Sequence, residues 1–348
     1  MRVALICPAP AGSRLGNRVT ALRWARMLRE LGHTPVLADP GSLPRCDLLI
    51  ALHARRSAAS VRRSLAEAPG RPVVVALTGT DLYRDIRVNA SAKWALRAAD
   101  RLIVLHAGAT AELPRNLRGK ARLVPQSAPR PAGAQAKRKG VFEVAVVAHL
   151  RPEKDPLRTA LAAALLPRES LLSVVHAGRA LSPRMRREAL AEAQRNPRYR
   201  WLGEVPQGRA RALIGRARLL SLTSEMEGGA NVVSEAIAAG TPVIASRIPS
   251  MRAILGRDYP GLFPFADARA LSRLLLRAER EPAFLAALRR RCVALWPALS
   301  PAREKAALRD LLAEFGRAKV SGRPARRRGP ASRSSSVRRA PRVSTLPR

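Results

Sequence analysis

The feature that most constrains this chain is its rhythm, in which short apolar runs alternate with segments of helical period. The runs VALIC (3–7), DLLIAL (47–52), PVVVAL (72–77) and RLIVL (101–105) have the length and composition of strands buried on both faces. Between the first two, Ala21, Trp24, Ala25, Leu28 and Leu31 fall on one helical stripe, with Arg18, Arg23, Arg26, Arg29 and Glu30 on the opposite side. Gly32 ends that helix and HTPVLAD opens the next strand. This βαβ order, with its right-handed crossovers, repeats to about residue 127. The stretch QSAPRPAGAQAKRKG (126–140) has no period and reads as a linker. A second series follows in VFEVAVVAHL (141–150), SLLSVVHAG (170–178), ARLLSL (217–222) and TPVIAS (241–246), ending near Gly261 to Phe265. The fold class expected is α/β, with two doubly wound Rossmann-like domains facing a central cleft. Ligands bind at the carboxyl ends of such strands. The expected boundaries are a first Rossmann-like domain at 1–127, a linker at 128–140 and a second at 141–295. A helix at 296–318 is expected to pack back across the interdomain region, and 319–348 is expected to be a basic disordered tail. At 348 residues the chain suits two domains of about 150 residues each.

The formal charge is +39, which raises nucleic acid as a partner. Ten of the 64 basic residues lie in the last thirty positions, which hold no acid, so the remainder carries +29. Elsewhere Arg is scattered over helix faces among alanines, and aromatic residues make up only 3%, leaving few platforms for base stacking. These points argue against a specific nucleic-acid partner. No apolar run is long enough to span a membrane and MRVALICPAP lacks the layout of a signal peptide, so the expected location is the cytoplasm. Cys7, Cys46 and Cys292 are far apart, with no metal-ligand spacing, and are expected to be reduced; no metal is expected.

The chemistry concentrates in EMEGGANVVSEAIAAGTPVIAS (225–246). Gly228 and Gly229 allow backbone N–H groups to approach a ligand, and a helix starting near Ala230 or Asn231 turns its positive end to the same spot. Val232, Val233, Ala236 and Ile237 are assigned to the sheet side of that helix. Glu235 then sits on its flank, where a carboxylate can accept two hydrogen bonds from a ribose diol. Glu227 lies before the glycines, where a sugar would sit. The alternative for the pair is a solvated Glu227 and a surface Glu235.

This segment resembles the signature of retaining GT-B glycosyltransferases of the glycogen-synthase and sucrose-synthase-like group, family four of that classification. The resemblance implies that Glu235 holds the ribose of a nucleotide sugar and Glu227 touches the donor sugar. AHLRPEKDP (148–156) resembles the group's G-R-L-x-x-x-K element, whose Arg and Lys clamp the diphosphate. Lys154 takes the Lys position, His149 stands where Arg is usual, and Arg151 is assigned to the clamp in its place. ALTGTDLYRD (76–85) is similar to the H-G-x-D segment, with Thr78 at the His position and Asp81 at the Asp position, bordering the sugar and acceptor. The D-x-D metal motif is absent, which suits a resemblance to GT-B enzymes.

GSRLGNRVTALRWARMLRELGH (12–33), LLIALHARRSAASV (48–61) and the two segments above together resemble the selenosugar synthase family of selenoneine biosynthesis, over about residues 1–318. That resemblance implies transfer from a UDP-sugar, UDP-N-acetylglucosamine or UDP-glucose, to selenophosphate. It implies no cofactor beyond these small-molecule substrates, and the other enzymes of selenoneine synthesis as partners. For an anionic acceptor the donor-rich candidates are His53, Arg55, Arg56 and Ser57 after one strand end, and the loop carrying Gly12, Ser13, Arg14, Gly16 and Asn17 after another. The alternatives are a solvated helix start for the two arginines and a structural role for His53, as for His106 and His176. Among enzymes, the alternative is a conventional glycosyltransferase with a lipid or glycan hydroxyl as acceptor. From another class, it is a binding protein for anionic polymers.

Overall fold

The structure is a computed structural model and describes residues 1–318 except Ala134. Twelve strands form two parallel sheets of six. The first contains β1 (Arg2–Ile6), β2 (Thr34–Ala38), β3 (Leu48–Leu52), β4 (Val73–Ala76), β5 (Arg101–Val104) and β6 (Ala121–Leu123) in the order β2-β1-β3-β4-β5-β6. The second contains β7 (Phe142–Val147), β8 (Leu172–Ala177), β9 (Tyr199–Trp201), β10 (Leu219–Leu222), β11 (Val243–Ser246) and β12 (Leu262–Phe263) in the order β12-β11-β10-β7-β8-β9. The α/β doubly wound class read from the apolar runs is therefore present. The runs themselves are the central strands: every residue of β3, β4, β10 and β11 is buried. The edge strands β6 and β9 carry Arg122 and Arg200 and are three residues long, so no apolar run announces them.

Strand order fixes where ligands go. In the first sheet the winding reverses between β1 and β3, and in the second between β7 and β10. At such a reversal the loops leaving two adjacent strands diverge to opposite faces and open a crevice at the carboxyl edge. The four loops so placed are Cys7–Leu15, His53–Ser57, Ala148–Arg151 and Thr223–Ala230.

The Gly16–Glu30 helix buries Thr20, Ala21, Trp24, Ala25, Met27 and Leu28. Leu31 is only half-buried because the helix has already ended at Glu30, and Gly32 follows in the left-handed region (φ 78°). The closing helix, Pro301–Ala318, inserts Leu308, Leu311, Leu312 and Phe315 into the core of the first domain beside Trp24 and Leu28. The chain reaches it through a turn at Trp296–Leu299 that touches the Asn231–Ala238 helix of the second domain. The expected tail at 319–348 lies outside the described residues. Among the described residues, no helix is long and apolar enough to cross a membrane.

His176 is fully buried in β8, with Nδ1 2.8 Å from the Tyr199 hydroxyl and Nε2 2.9 Å from the Ala148 carbonyl. Burial pushes its pKa down to about 4 and does the same to His106, which meets the Tyr83 hydroxyl at 2.8 Å. Both rings are neutral in the folded state, and the unfolded chain takes up their protons first, from about pH 6.5. Stability therefore falls as pH drops from about 6.5 to about 4, where the folded rings begin to protonate, and these two groups add no further loss below that. The expected slope is up to about 1.4 kcal/mol per pH unit for each ring. Urea titrations from pH 7.5 to 4 check this, and replacing His176 with Asn should flatten the slope.

Candidate active site

The four loops enclose a cleft of about 700 Å³ between the sheets. On the second-domain wall, the loop after β7 supplies His149, Arg151 and Lys154, and the loop after β10 supplies Glu227 to Ala230. Lys154 is fixed because Thr223 Oγ1 donates to the carbonyls of Lys154 (3.1 Å) and Asp155 (2.8 Å). Its Nζ donates to Glu227 Oε1 at 2.5 Å, and Ser224 Oγ donates to the same oxygen at 2.6 Å. Glu227 is only 6% exposed, so the solvated alternative for it does not hold. Arg151 also lines the cleft, and among the described residues its guanidinium has no ion pair or hydrogen bond. An anion entering here meets an unneutralised Arg151 and a Lys154 whose charge is shared with Glu227.

The Asn231–Ala238 helix begins after Ala230, held in the left-handed region (φ 47°). Its first turn contains no acid, so its positive end faces the cleft unopposed. Val232 borders the cleft and also packs against the second-domain core, while Val233, Ser234, Ala236 and Ile237 are buried. Glu235 lines the cleft one turn in and accepts from Arg211 Nε at 3.0 Å, a partner that sequence proximity does not reveal. His149 spans the cleft. Its Nδ1 accepts from the Arg179 backbone N–H (3.1 Å), which leaves Nε2–H to donate to the Arg14 carbonyl across the cleft (3.3 Å). Burial lowers its pKa first, so at this position it is a neutral strut between domains and not a replacement for an arginine charge.

The glycines do more than admit a ligand. A Cβ on Gly228 would sit on the Thr78 carbonyl oxygen and 2.9 Å from the Gly79 nitrogen, and one on Gly229 would crowd Gln126 and Leu105 at 2.8 and 2.9 Å. Both are points of close contact between the second domain and the first, Gly228 backbone to backbone and Gly229 against side chains. Gly228→Ala should therefore hold the domains apart without unfolding either. The expected result is a loss of about 10²-fold in kcat/KM from misplacement of groups across the cleft, with the urea midpoint little changed. A wild-type rate would show that this contact does not set the closed geometry.

On the first-domain wall, Gly16, Asn17, His53, Arg56 and Thr78 line the cleft as the sequence suggests. Arg55, Ser57 and Asp81 do not. Arg55 Nε is paired with Asp85 at 2.8 Å, and Ser57 Oγ donates to the Leu52 carbonyl at 2.6 Å. Asp81 is fully buried and accepts from the backbone N–H groups of Ala54, Thr78 and Gly79, each at 2.9 Å. Ser57 and Asp81 spend their polar atoms on the loops and Arg55 is held outside the cleft lining through Nε, so the assignment of these three to the acceptor is corrected. His53 adopts φ 72° and places Nε2 3.1 Å from Thr80 Oγ1, with Asp81 and Asp85 about 4 Å away. Burial lowers its pKa, with Asp81 opposing.

The polar side of the first helix, opposite its apolar stripe, contributes Arg18 and Arg23 to the cleft. Arg23 Nε and Nη2 donate to Glu304 at 2.8 and 3.1 Å, and Nη1 donates to Asn231 Oδ1 at 3.0 Å. Glu304, fully buried in the closing helix, also accepts from Trp24 Nε1 (2.7 Å), from the Ser127 N–H (3.0 Å) and from the Ser127 hydroxyl. The last helix thus holds an arginine against the start of the Asn231–Ala238 helix. No sequence spacing connects residues 23, 231 and 304.

Residues 132–294 match the family model "Glycosyl transferases group 1". The match covers the linker and nearly all of the second domain, including Lys154, Glu227 and Glu235. Similar solved structures extend over both domains. The crystal structure of Anabaena HepE in complex with UDP and glucose superposes with a TM-score of 0.74 at 13% identity, over 90% of this chain and 100% of that one. Sucrose-phosphate synthase from Thermosynechococcus elongatus gives 0.74 at 18% identity, over 91% and 99%. The α,α-trehalose 6-phosphate synthase of Burkholderia multivorans gives 0.68 at 16% identity, over 90% and 79%. The fold is GT-B, as the two doubly wound sheets around one cleft require.

Proposed function

We propose that this chain transfers a glycosyl group from a UDP-sugar, UDP-N-acetylglucosamine or UDP-glucose, to selenophosphate, forming a carbon–selenium bond. The observation that carries the anionic acceptor is the polarity of the cleft. Its lining carboxylates, Glu204, Glu227 and Glu235, all belong to the second domain, whereas the first-domain wall presents five arginines and no carboxylate. A sugar hydroxyl needs no such field; a small oxyanion gains from it in both binding and encounter rate. The donor half of the reading is supported by the family match and by HepE, whose structures hold UDP, glucose and UDP-glucose.

In this reading the open helix start at Asn231 and the Arg151 guanidinium receive the diphosphate, Glu235 turns from Arg211 to the ribose, and Glu227 contacts the donor sugar. An electron pair on selenium forms the bond to the anomeric carbon as that carbon's bond to the diphosphate oxygen breaks. The released pair leaves with UDP, where Arg151 and Lys154 stabilise it, and the phosphoryl group stays on selenium in this step. No proton has to be removed from the nucleophile, so binding and orientation supply much of the rate. Both substrates are small and soluble, no further cofactor takes part, and the reaction belongs to the cytoplasm beside the other enzymes of selenoneine synthesis.

The test is an anaerobic incubation with each UDP-sugar and selenophosphate, following UDP release and searching by mass spectrometry for selenium's isotope pattern in a sugar product. A selenosugar that needs both substrates supports the assignment. UDP-sugar binding without selenium transfer would overturn the acceptor and favour an ordinary hydroxyl.

A further inference from the structure

Two polar atoms in the first-domain wall are buried and have no hydrogen-bond partner: Ser13 Oγ and Arg18 Nε. Buried polar groups are nearly always paired in folded proteins, and an orphan costs free energy until something pairs with it. Both residues line the cleft, and both are anchored by their backbones, since the Ser13 N–H donates to the Pro10 carbonyl (3.1 Å) and the Arg18 N–H to the Leu15 carbonyl (2.9 Å). They lie just after β1, at the reversal of winding in the first sheet.

Two of the charges around them are already assigned elsewhere. Arg23 is held by Glu304, and Arg26 has Glu30 at 3.5 Å. Arg18 has no ion pair among the described residues, and no carboxylate of the first domain reaches this wall. The place is thus cationic and short of carboxylates; the Arg18 side chain also lies against the buried Cys7 thiol, and because both orphan atoms are closed off, an anion in the cleft meets them once the two side chains turn towards it.

We propose that Ser13 and Arg18 form an oxyanion subsite that holds the phosphoryl group of the acceptor, separate from the groups that receive the donor diphosphate. The proposal rests on reading the chain as a glycosyltransferase with an anionic acceptor. Ser13 Oγ–H and Arg18 Nε–H each donate to a phosphoryl oxygen, the second as a charge-assisted bond with the rest of the guanidinium fork beside it. A phosphoryl group offers three oxygens to such donors, which leaves its fourth substituent, the nucleophilic selenium, free to react. The subsite replaces the Arg55 and Ser57 positions, neither of which lines the cleft.

The test is calorimetric titration of inorganic phosphate into the full chain saturated with UDP, so that the donor position is filled. Wild type is expected to bind one phosphate. Arg18→Ala should weaken it by about 10- to 100-fold and Ser13→Ala by about 3- to 10-fold, the usual worth of a charged and a neutral hydrogen bond. UDP affinity, measured separately, should stay within about twofold in both variants, which also shows that they fold. Arg18→Lys should restore only part, because an ammonium lacks the fork. Three results overturn the subsite: no phosphate binding by UDP-saturated wild type, phosphate binding unchanged in both variants, or a parallel fall in UDP affinity, which would give the two donors to the diphosphate. Arg18-dependent phosphate binding without selenium transfer would keep the subsite and remove only selenophosphate as the acceptor. Selenosugar formation with an unchanged KM for selenophosphate in Arg18→Ala would do the reverse.

Discussion

Lys154→Ala is expected to lower kcat for glycosyl transfer by about 10²- to 10³-fold, the usual cost of removing one electrostatic donor aimed at developing charge. Lys154 stands in the cleft with its backbone held by Thr223 and its ammonium on Glu227. In the proposed reaction charge grows on the diphosphate as the glycosidic bond breaks, so the loss should fall on kcat more than on the KM of the UDP-sugar. Single-turnover UDP release reads this loss apart from any change in product release. An unchanged kcat would remove Lys154 from the leaving-group role.

Glu304→Ala is expected to destabilise the protein by about 3–5 kcal/mol, the scale seen when one partner of a buried ion pair is removed. The carboxylate is fully buried and accepts from Arg23, Trp24 and Ser127, so its loss strands several donors at once, one of them charged. The urea midpoint measures this, and Glu304→Gln, which keeps the shape and one acceptor oxygen, should recover part of it. A midpoint within about 1 kcal/mol of wild type would mean that water or a rearranged side chain satisfies those donors. Because Arg23 also holds Asn231 at 3.0 Å, the same variant should weaken UDP binding, although Glu304 itself is no part of the cleft lining.

Residue 304 shows why part of the site escapes a reading of the sequence. In sequence it is one acid in the first turn of an amphipathic helix, a common place for a helix-stabilising charge. In space it is the anchor of an arginine 281 positions away. The two arginines after β3 make the same point in the opposite direction. Arg55 and Arg56 are equivalent by pattern, yet Asp85 takes Arg55 and leaves Arg56 on the wall. Arg18 looked like any solvent-facing helix residue because its stripe is polar; only the burial of its Nε without a partner distinguishes it. Glu235 lies on the cleft side of its helix, and its hold by Arg211 depends on how two helices pack.

What the sequence determined by itself was local and periodic. Alternating apolar runs and helical stripes specify two parallel sheets and their crossovers, because side-chain period decides which face of an element can be buried. The glycine pair followed by a helix specifies an anion-accepting backbone, because that property resides in φ, ψ and the helix dipole. Tertiary structure decided which charged side chains remain available to a ligand. That depends on desolvation and on distances between segments tens to hundreds of residues apart, and a carboxylate within 3 Å can neutralise an arginine that every local rule leaves free.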